Sequence, residues 1–279
     1  MIIRHKTSGE ILLETSRDTL AGAALDGVVL MGADLRGQDL QGALLRGADL
    51  CQADLRDARL DRANLTQADV TLANLAGAVL RHATLCDARL QAVTLELAGR
   101  AATDFTGADL TRVTLKNSNL AGSVFADAQM RRIDLTHCAL EMAAFAGADL
   151  TEANLSYSNL LQADLSYAML TGAVLNDCDL RSASLRDAEL SSAVLNGARL
   201  QDCELTGVHL SRTVLARCRD LHQARGLSDA SYSSPSSIDV DTLRWCWREL
   251  PDAFLEGIGL EPAEIESLQA LPAPSPAGV

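Results

Sequence analysis

Cysteine, histidine and acidic side chains are where this sequence could do chemistry, and their spacing decides which kind. The chain has seven cysteines and no Cys-x-x-Cys pair. His5, His82, His137, His209 and His222 are scattered, and none has a metal-ligand spacing to a cysteine or to another histidine. His137 and Cys138 are neighbours, but in an extended chain adjacent side chains point to opposite sides. There is no glycine-rich phosphate loop ending in Lys and Ser/Thr, and no Gly-x-Ser-x-Gly elbow. The expectation is a protein that is not an enzyme and uses no metal or cofactor. An odd number of cysteines without framework spacing predicts free thiols in a reducing compartment. Cys138, Cys178, Cys203 and Cys218 stand where alanine usually stands, which suits small apolar core residues.

The acids form the larger set. The net charge is −13, and phosphate binding needs clustered Lys and Arg, so direct nucleic-acid binding is not expected. Residues 220–279 carry ten acids and three bases, so about half of the excess lies near the C-terminal end. The N-terminal segment Met1–Lys6 has no apolar run with a cleavage site, and no stretch approaches the roughly 20 apolar residues of a membrane helix. A cytoplasmic protein away from membranes is expected.

The element that must position these residues is a repeat of five. From Leu20 to Leu215 every position divisible by five is an anchor, and 34 of these 40 anchors are leucine, so the register runs without insertion or deletion. The exceptions are Val70, Arg100, Phe105, Phe125, Met130 and Phe145. In extended backbone the anchor and the small residue two before it point inward together, as with Ala53 and Leu55. The residue between them points outward and is often Asp or Asn. The next two residues must turn the chain, and glycine at the second (Gly22 to Gly47) suits a positive φ. A period of five makes no stripe on a 3.6-residue helix.

These units, such as Ala48-Asp49-Leu50-Cys51-Gln52, resemble the A(D/N)LXX repeat of the pentapeptide-repeat proteins over residues 18–219. The resemblance implies an all-β fold, a right-handed quadrilateral β-helix with four units per coil and about ten coils. Phe105, Phe125 and Phe145 support a twenty-residue coil independently. They would stack as one interior ladder flanked by Leu85 and Leu165, because large rings must cluster in a tight core. In the unit Glu96-Leu97-Ala98-Gly99-Arg100, arginine replaces the core leucine. An unpaired buried guanidinium is prohibitively costly, so this face is expected to bulge outward while keeping its residue count. Glu96, Leu97, Gly99 and Arg100 are thus a candidate recognition loop.

Outward positions read every twenty residues give columns. One contains Asp49, Asp69, Asp109, Asp149 and Glu189, interrupted by Arg89. Another contains Val174, Val194 and Val214, an apolar strip that should be covered. Its cover would be the C-terminal helices with Trp245, Trp247 and Phe254, or a second copy in a homodimer through the C-terminal ends. Around the repeat, residues 1–17 read as a β-hairpin cap turning at Ser8-Gly9, and residues 220–270 as a helical C-terminal cap or dimerisation segment. Helices are expected at Asp239–Leu250, Asp252–Ile258 and Pro262–Leu271, and residues 271–279 as a disordered tail.

Three functions follow. A rigid rod presenting side-chain ladders suits a non-enzymatic protein–protein interaction scaffold. The resemblance extends to members that mimic DNA and bind gyrase or topoisomerase IV, which makes a type II topoisomerase the second reading, with the acidic column as its contact. The segment with Pro235, Ile238, Asp239, Thr242, Leu243, Pro251, Phe254, Leu255, Gly257, Gly259 and Leu260 is similar to one that precedes TIR-type signalling domains in bacterial proteins. That implies an adaptor as the third.

Overall fold

The computed structural model describes residues 1–94 and 103–270. In most described units the anchor and the residue two before it are buried, as at Ala53 and Leu55, and the residue between them bridges to neighbouring coils. The backbone N–H groups explain the five-residue form. Leu55 N–H donates to Asn74 O at 2.7 Å, and Asn74 N–H donates to Ala53 O at 2.9 Å. Ala53 N–H closes the turn on Leu50 O at 2.9 Å. The second turn residue donates upward, as Gln52 N–H does to Thr71 O at 2.8 Å. That last bond requires a left-handed backbone, with φ of 62° at Gly47 and 59° at Gln52. Glycine takes this conformation freely, yet most later turns adopt it with ordinary residues such as Leu72 and Tyr157. The repeated inter-coil bonds offset the roughly 1–2 kcal/mol that a side chain costs there.

The bridges form four parallel ladders, one on each side of the solenoid. The first runs through Leu44, Asn64, Thr84, Asp109, Gln129, Asp149, Met169 and Glu189. The second runs through Asp49, Asp69, Arg89, Thr114, Asp134, Asn154, Val174, Val194 and Val214. The third includes Asp34, Asp54, Thr94, Asn119 and Asp179; the fourth includes Val79, Asp104, Val124, Ala144 and Asp164.

One turn breaks the expected count. Repeat ladders step by twenty residues, but Val79 pairs with Asp104, Thr84 with Asp109, Arg89 with Thr114 and Thr94 with Asn119, each a step of twenty-five. One pentapeptide between Thr94 and Asp104 therefore adds to the coil instead of keeping its residue count. Because the addition is one whole unit, the five-residue phase continues and the sequence shows no frameshift. The phenylalanine ladder forms as expected, with Phe105–Phe125 centroids 5.0 Å apart and Phe125–Phe145 4.9 Å apart, nearly parallel. Leu165 follows it above, but the residue below Phe105 is Leu80, whose N–H donates to Asp104 O, and not Leu85.

At the start, β1 (Ile2–Arg4) and β2 (Ile11–Glu14) form an antiparallel hairpin. It lies along the first turn of the third ladder, where Asp34 N–H donates to Arg4 O and Lys6 N–H to Gly32 O, both at 2.8 Å. Ile3 joins the core. At the other end, pairing continues beyond residue 219. Glu204 bridges to Arg225 and His209 to Ser231, and β3 (Val214–Leu215) pairs in parallel with β4 (Ser237–Ile238). The boundary drawn at 219 marks the loss of leucine anchors, not the end of the ladders. Three helices follow: α1 (Val240–Cys246), α2 (Asp252–Gly257) and α3 (Pro262–Gln269). Asp239 caps α1 by accepting Thr242 N–H at 2.9 Å, and the same Oδ1 accepts Arg217 N–H at 3.1 Å. Thr242 and Ser236 hydroxyls accept the N–H groups of Cys218 and Thr213, each at 3.1 Å. Cys246, Leu250, Phe254, Leu255, Ile258 and Ile265 extend the apolar core into this region. The expected tail at 271–279 lies outside the described residues.

Candidate functional site

Of the five N–H groups in a unit, only that of the first turn residue has no backbone acceptor, and the outward acid supplies one. Cys51, Thr71, Thr111 and Thr151 donate to the Oδ1 of Asp49, Asp69, Asp109 and Asp149 at 3.0, 3.0, 3.0 and 3.1 Å. Ser191 donates to Glu189 Oε1 at 2.8 Å. Asn64 and Asn74 do the same for Thr66 and Ala76, which explains why asparagine alternates with aspartate at this position. All five acids of the predicted column are thus turn caps.

They do not form one column. The twenty-five-residue turn rotates everything after it by one side of the solenoid, leaving Asp49 and Asp69 on the second ladder and Asp109, Asp149 and Glu189 on the first. Arginines further neutralise the acids: Arg89 lies 3.6 Å from Asp69, and Arg131 2.9 Å from Asp149. Elsewhere Asp54 forms a paired bond with Arg56 (2.7 and 2.5 Å), and Asp179 with Arg181 (2.7 and 2.6 Å). Burial raises the carboxyl pKa of Asp54 and Asp179, but the arginine and turn N–H bonds outweigh it, so both fall below the usual range. The candidate loop Glu96, Leu97, Gly99 and Arg100 lies outside the described residues.

The thiols serve the interior. The Sγ–H groups of Cys178 and Cys218 donate to the Leu155 and Leu195 carbonyls at 2.9 Å, and Cys138 to Leu115 O at 3.2 Å. Burial pushes Cys138 up to about 11 and Cys178 and Cys218 up to about 12, leaving them poor nucleophiles. His137 points outward and stacks on Tyr157 with centroids 5.0 Å apart, while Cys138 is buried. Among the described residues no group of three His, Cys, Asp or Glu could hold a metal ion, and no helix is long and apolar enough to cross a membrane.

Val174, Val194 and Val214 lie in one ladder and remain partly exposed, although Val214 also pairs with Ser237. The three C-terminal aromatics do not make a common patch. Phe254 is fully buried in the core, Trp247 is buried with Arg248 over its ring at 4.9 Å, and Trp245 is 39% exposed under Arg219 at 4.3 Å. A surface not evident from the sequence columns lies on the fourth ladder, where Val124, Ala144 and Asp164 hold ladder positions and Met142, Leu161, Asp127 and Glu141 the bordering turns. Reading outward positions every twenty residues along that side, turn residues included, was the signal that would have found it.

A model of pentapeptide repeats matches the chain in eight copies, spanning residues 19–98, 103–141 and 143–225. The chain belongs to the pentapeptide-repeat family and folds as its all-β solenoid. Among solved structures it is similar to HetL, a pentapeptide repeat protein involved in heterocyst differentiation regulation from the cyanobacterium Nostoc sp. Strain PCC 7120. The identity is 28% over 75% of this chain and 90% of that one, with a TM-score of 0.36. It is also similar to trypsin-treated QnrB1, a plasmid-mediated fluoroquinolone resistance protein, at 17% identity over 73% of this chain and 88% of that one, with a TM-score of 0.41. Among curated proteins none matches the chain.

Proposed function

We propose that the protein is a non-enzymatic, cytoplasmic protein-interaction scaffold, a right-handed four-sided rod of about ten coils closed by a hairpin and a small helical cap. One observation carries this reading. The acids that could bind a ligand cap turns, and the thiols that could attack one donate to carbonyls inside the core. What varies from coil to coil is the outward side chain, which suits recognition along a rigid surface. The acids named as the contact for the topoisomerase reading lie on two ladders, so they form no single acidic column that would favour it.

The test places a photo-crosslinking amino acid at Gln129, Thr114 and Asn119 on the first three ladders and at Met142 in the turn that borders the fourth, in the full chain inside cells. A scaffold gives discrete protein adducts from at least one ladder and none from the others. Absence of adducts from all four ladders would overturn the reading. A gyrase supercoiling assay with and without a quinolone separates the alternative: inhibition or protection at micromolar protein would displace the scaffold reading in favour of a topoisomerase partner.

A further inference from the structure

We propose that the fourth ladder between Asp104 and Asp164, with its bordering turns, docks a basic and apolar segment of a partner protein, one in which Lys or Arg flank aliphatic or aromatic side chains. This rests on the scaffold reading and narrows it to one face and one partner chemistry.

The centre of the surface is apolar. Val124 and Ala144 occupy successive ladder positions, Ala126 and Ala146 the turns on one side, and Met142 and Leu161 the turns on the other. Met142 is 63% exposed, on a rod whose buried positions are filled almost entirely by Leu and Ala. The three ladder steps from Asp104 to Asp164 extend about 14 Å along the rod at the usual strand spacing. That is room for a short segment and not for a broad domain.

The rim carries one sign of charge. Asp104, Asp127, Glu141 and Asp164 border the apolar centre, and Asp109 and Asp149 stand on the adjoining ladder. Among the described residues no Lys or Arg occupies this face or its turns over that length. Arg81 reaches Asp104 from the coil below at 2.6 Å, and Arg131 pairs with Asp149. Asp127, Glu141 and Asp164 have no ion pair among the described residues, and one oxygen of Glu141 is buried without any hydrogen bond.

Charge complementarity selects the occupant. Carboxylates without ion pairs around an exposed apolar centre steer and orient a cationic partner, while burying that centre supplies the affinity. A second copy docking through this face would set acid against acid, and an anionic membrane or nucleic acid would be repelled in the same way. The flexible thioether of Met142 adapts to irregular apolar partners. The valine strip of the second ladder offers no comparable selection, because Asp177 and Arg217 border it with both signs of charge.

The test titrates labelled synthetic peptides of Lys/Leu, Lys/Ser and Glu/Leu composition into the full chain, read by fluorescence anisotropy at low and high salt. The Lys/Leu peptide is expected to bind, the Lys/Ser peptide about tenfold more weakly, and the Glu/Leu peptide not at all. Two double variants probe the face. V124T/M142N removes the apolar centre, and asparagine tolerates the φ of 57° at position 142. D127N/D164N removes charge yet keeps an oxygen for Ser166 N–H, which Asp164 accepts at 3.0 Å. Each should weaken Lys/Leu binding about tenfold, and D127N/D164N should also flatten its salt dependence. V174T/V194T should leave binding unchanged.

Equal binding by Lys/Ser and Lys/Leu, no loss in either fourth-ladder variant, or an equal loss in V174T/V194T would overturn the proposal. The crosslinking arms keep its failure distinct from failure of the scaffold reading. Adducts from another ladder with none from position 142 overturn this proposal alone, whereas adducts from no ladder overturn both.

Discussion

Replacing the turn-capping acids by alanine should cost far more stability than replacing them by asparagine. Consider Asp69, Asp109 and Asp149, each of which accepts the N–H two residues ahead at 3.0 to 3.1 Å. Alanine leaves that N–H without a protein partner, a loss comparable to removing a helix N-cap, about 1 kcal/mol per site. Asp109 and Asp149 are two coils apart and Asp69 lies on another side of the rod, so the losses should add to about 3 kcal/mol. Asparagine keeps the accepting oxygen and loses only surface ion pairs with Arg89 and Arg131, which amounts to less than about 1 kcal/mol in total. Urea unfolding followed by circular dichroism reads the difference. A triple alanine variant within about 1 kcal/mol of the triple asparagine variant would refute the capping role and return these carboxylates to the list of free surface charges.

Three further outcomes follow from the interior and the ion pairs. Phe125→Ala should cost about 3–5 kcal/mol in the same urea assay, and Phe125→Leu much less because leucine fills most of this core; a loss below about 1 kcal/mol for alanine would contradict the stacked ladder. In the native protein only Cys51 and Cys86 should react with a thiol reagent at pH 8, and all seven after denaturation. The other five are buried, with Cys246 also pushed up to about 12 by burial. Asp34, Asp54, Asp104 and Asp179 have folded pKa values below their ordinary one. Each therefore adds stability that is fully present above about pH 5 and lost as pH falls through 4 and below. Urea midpoints that stay level down to pH 3 would contradict that sign.

The five-residue repeat was legible because the core demands the same inward pair at every step, and leucine with alanine satisfies it at nearly every coil. The phenylalanine ladder was legible for a related reason, since three large rings must share one column. The coil length at Thr94–Asp104 was not legible. Adding one whole unit preserves the phase, and only backbone pairing shows whether a unit belongs to the regular twenty. Arg100 marked the irregular unit without revealing that consequence. The acids read correctly as outward-facing, but their role follows from the one N–H that lacks a backbone acceptor, which no residue pattern displays. The last turn escaped because its steps of 21 to 23 residues, at Arg225, Ser231 and Ser237, carry no leucine anchors.

The displacement of the acids onto two sides of the rod is the point on which the account turns, and cysteine pairs test it directly. With Cys51 and Cys86 replaced by alanine, one variant carries cysteines at Arg89 and Thr114, and a second at Arg89 and Asp109. Ladder neighbours lie about 5 Å apart, within reach of a short thiol-to-thiol crosslinker, whereas residues on adjacent sides of the rod face different directions. The Arg89/Thr114 pair should crosslink rapidly in the native state and the Arg89/Asp109 pair not at all. Crosslinking of the Arg89/Asp109 pair instead would restore the unbroken acidic column and contradict the account.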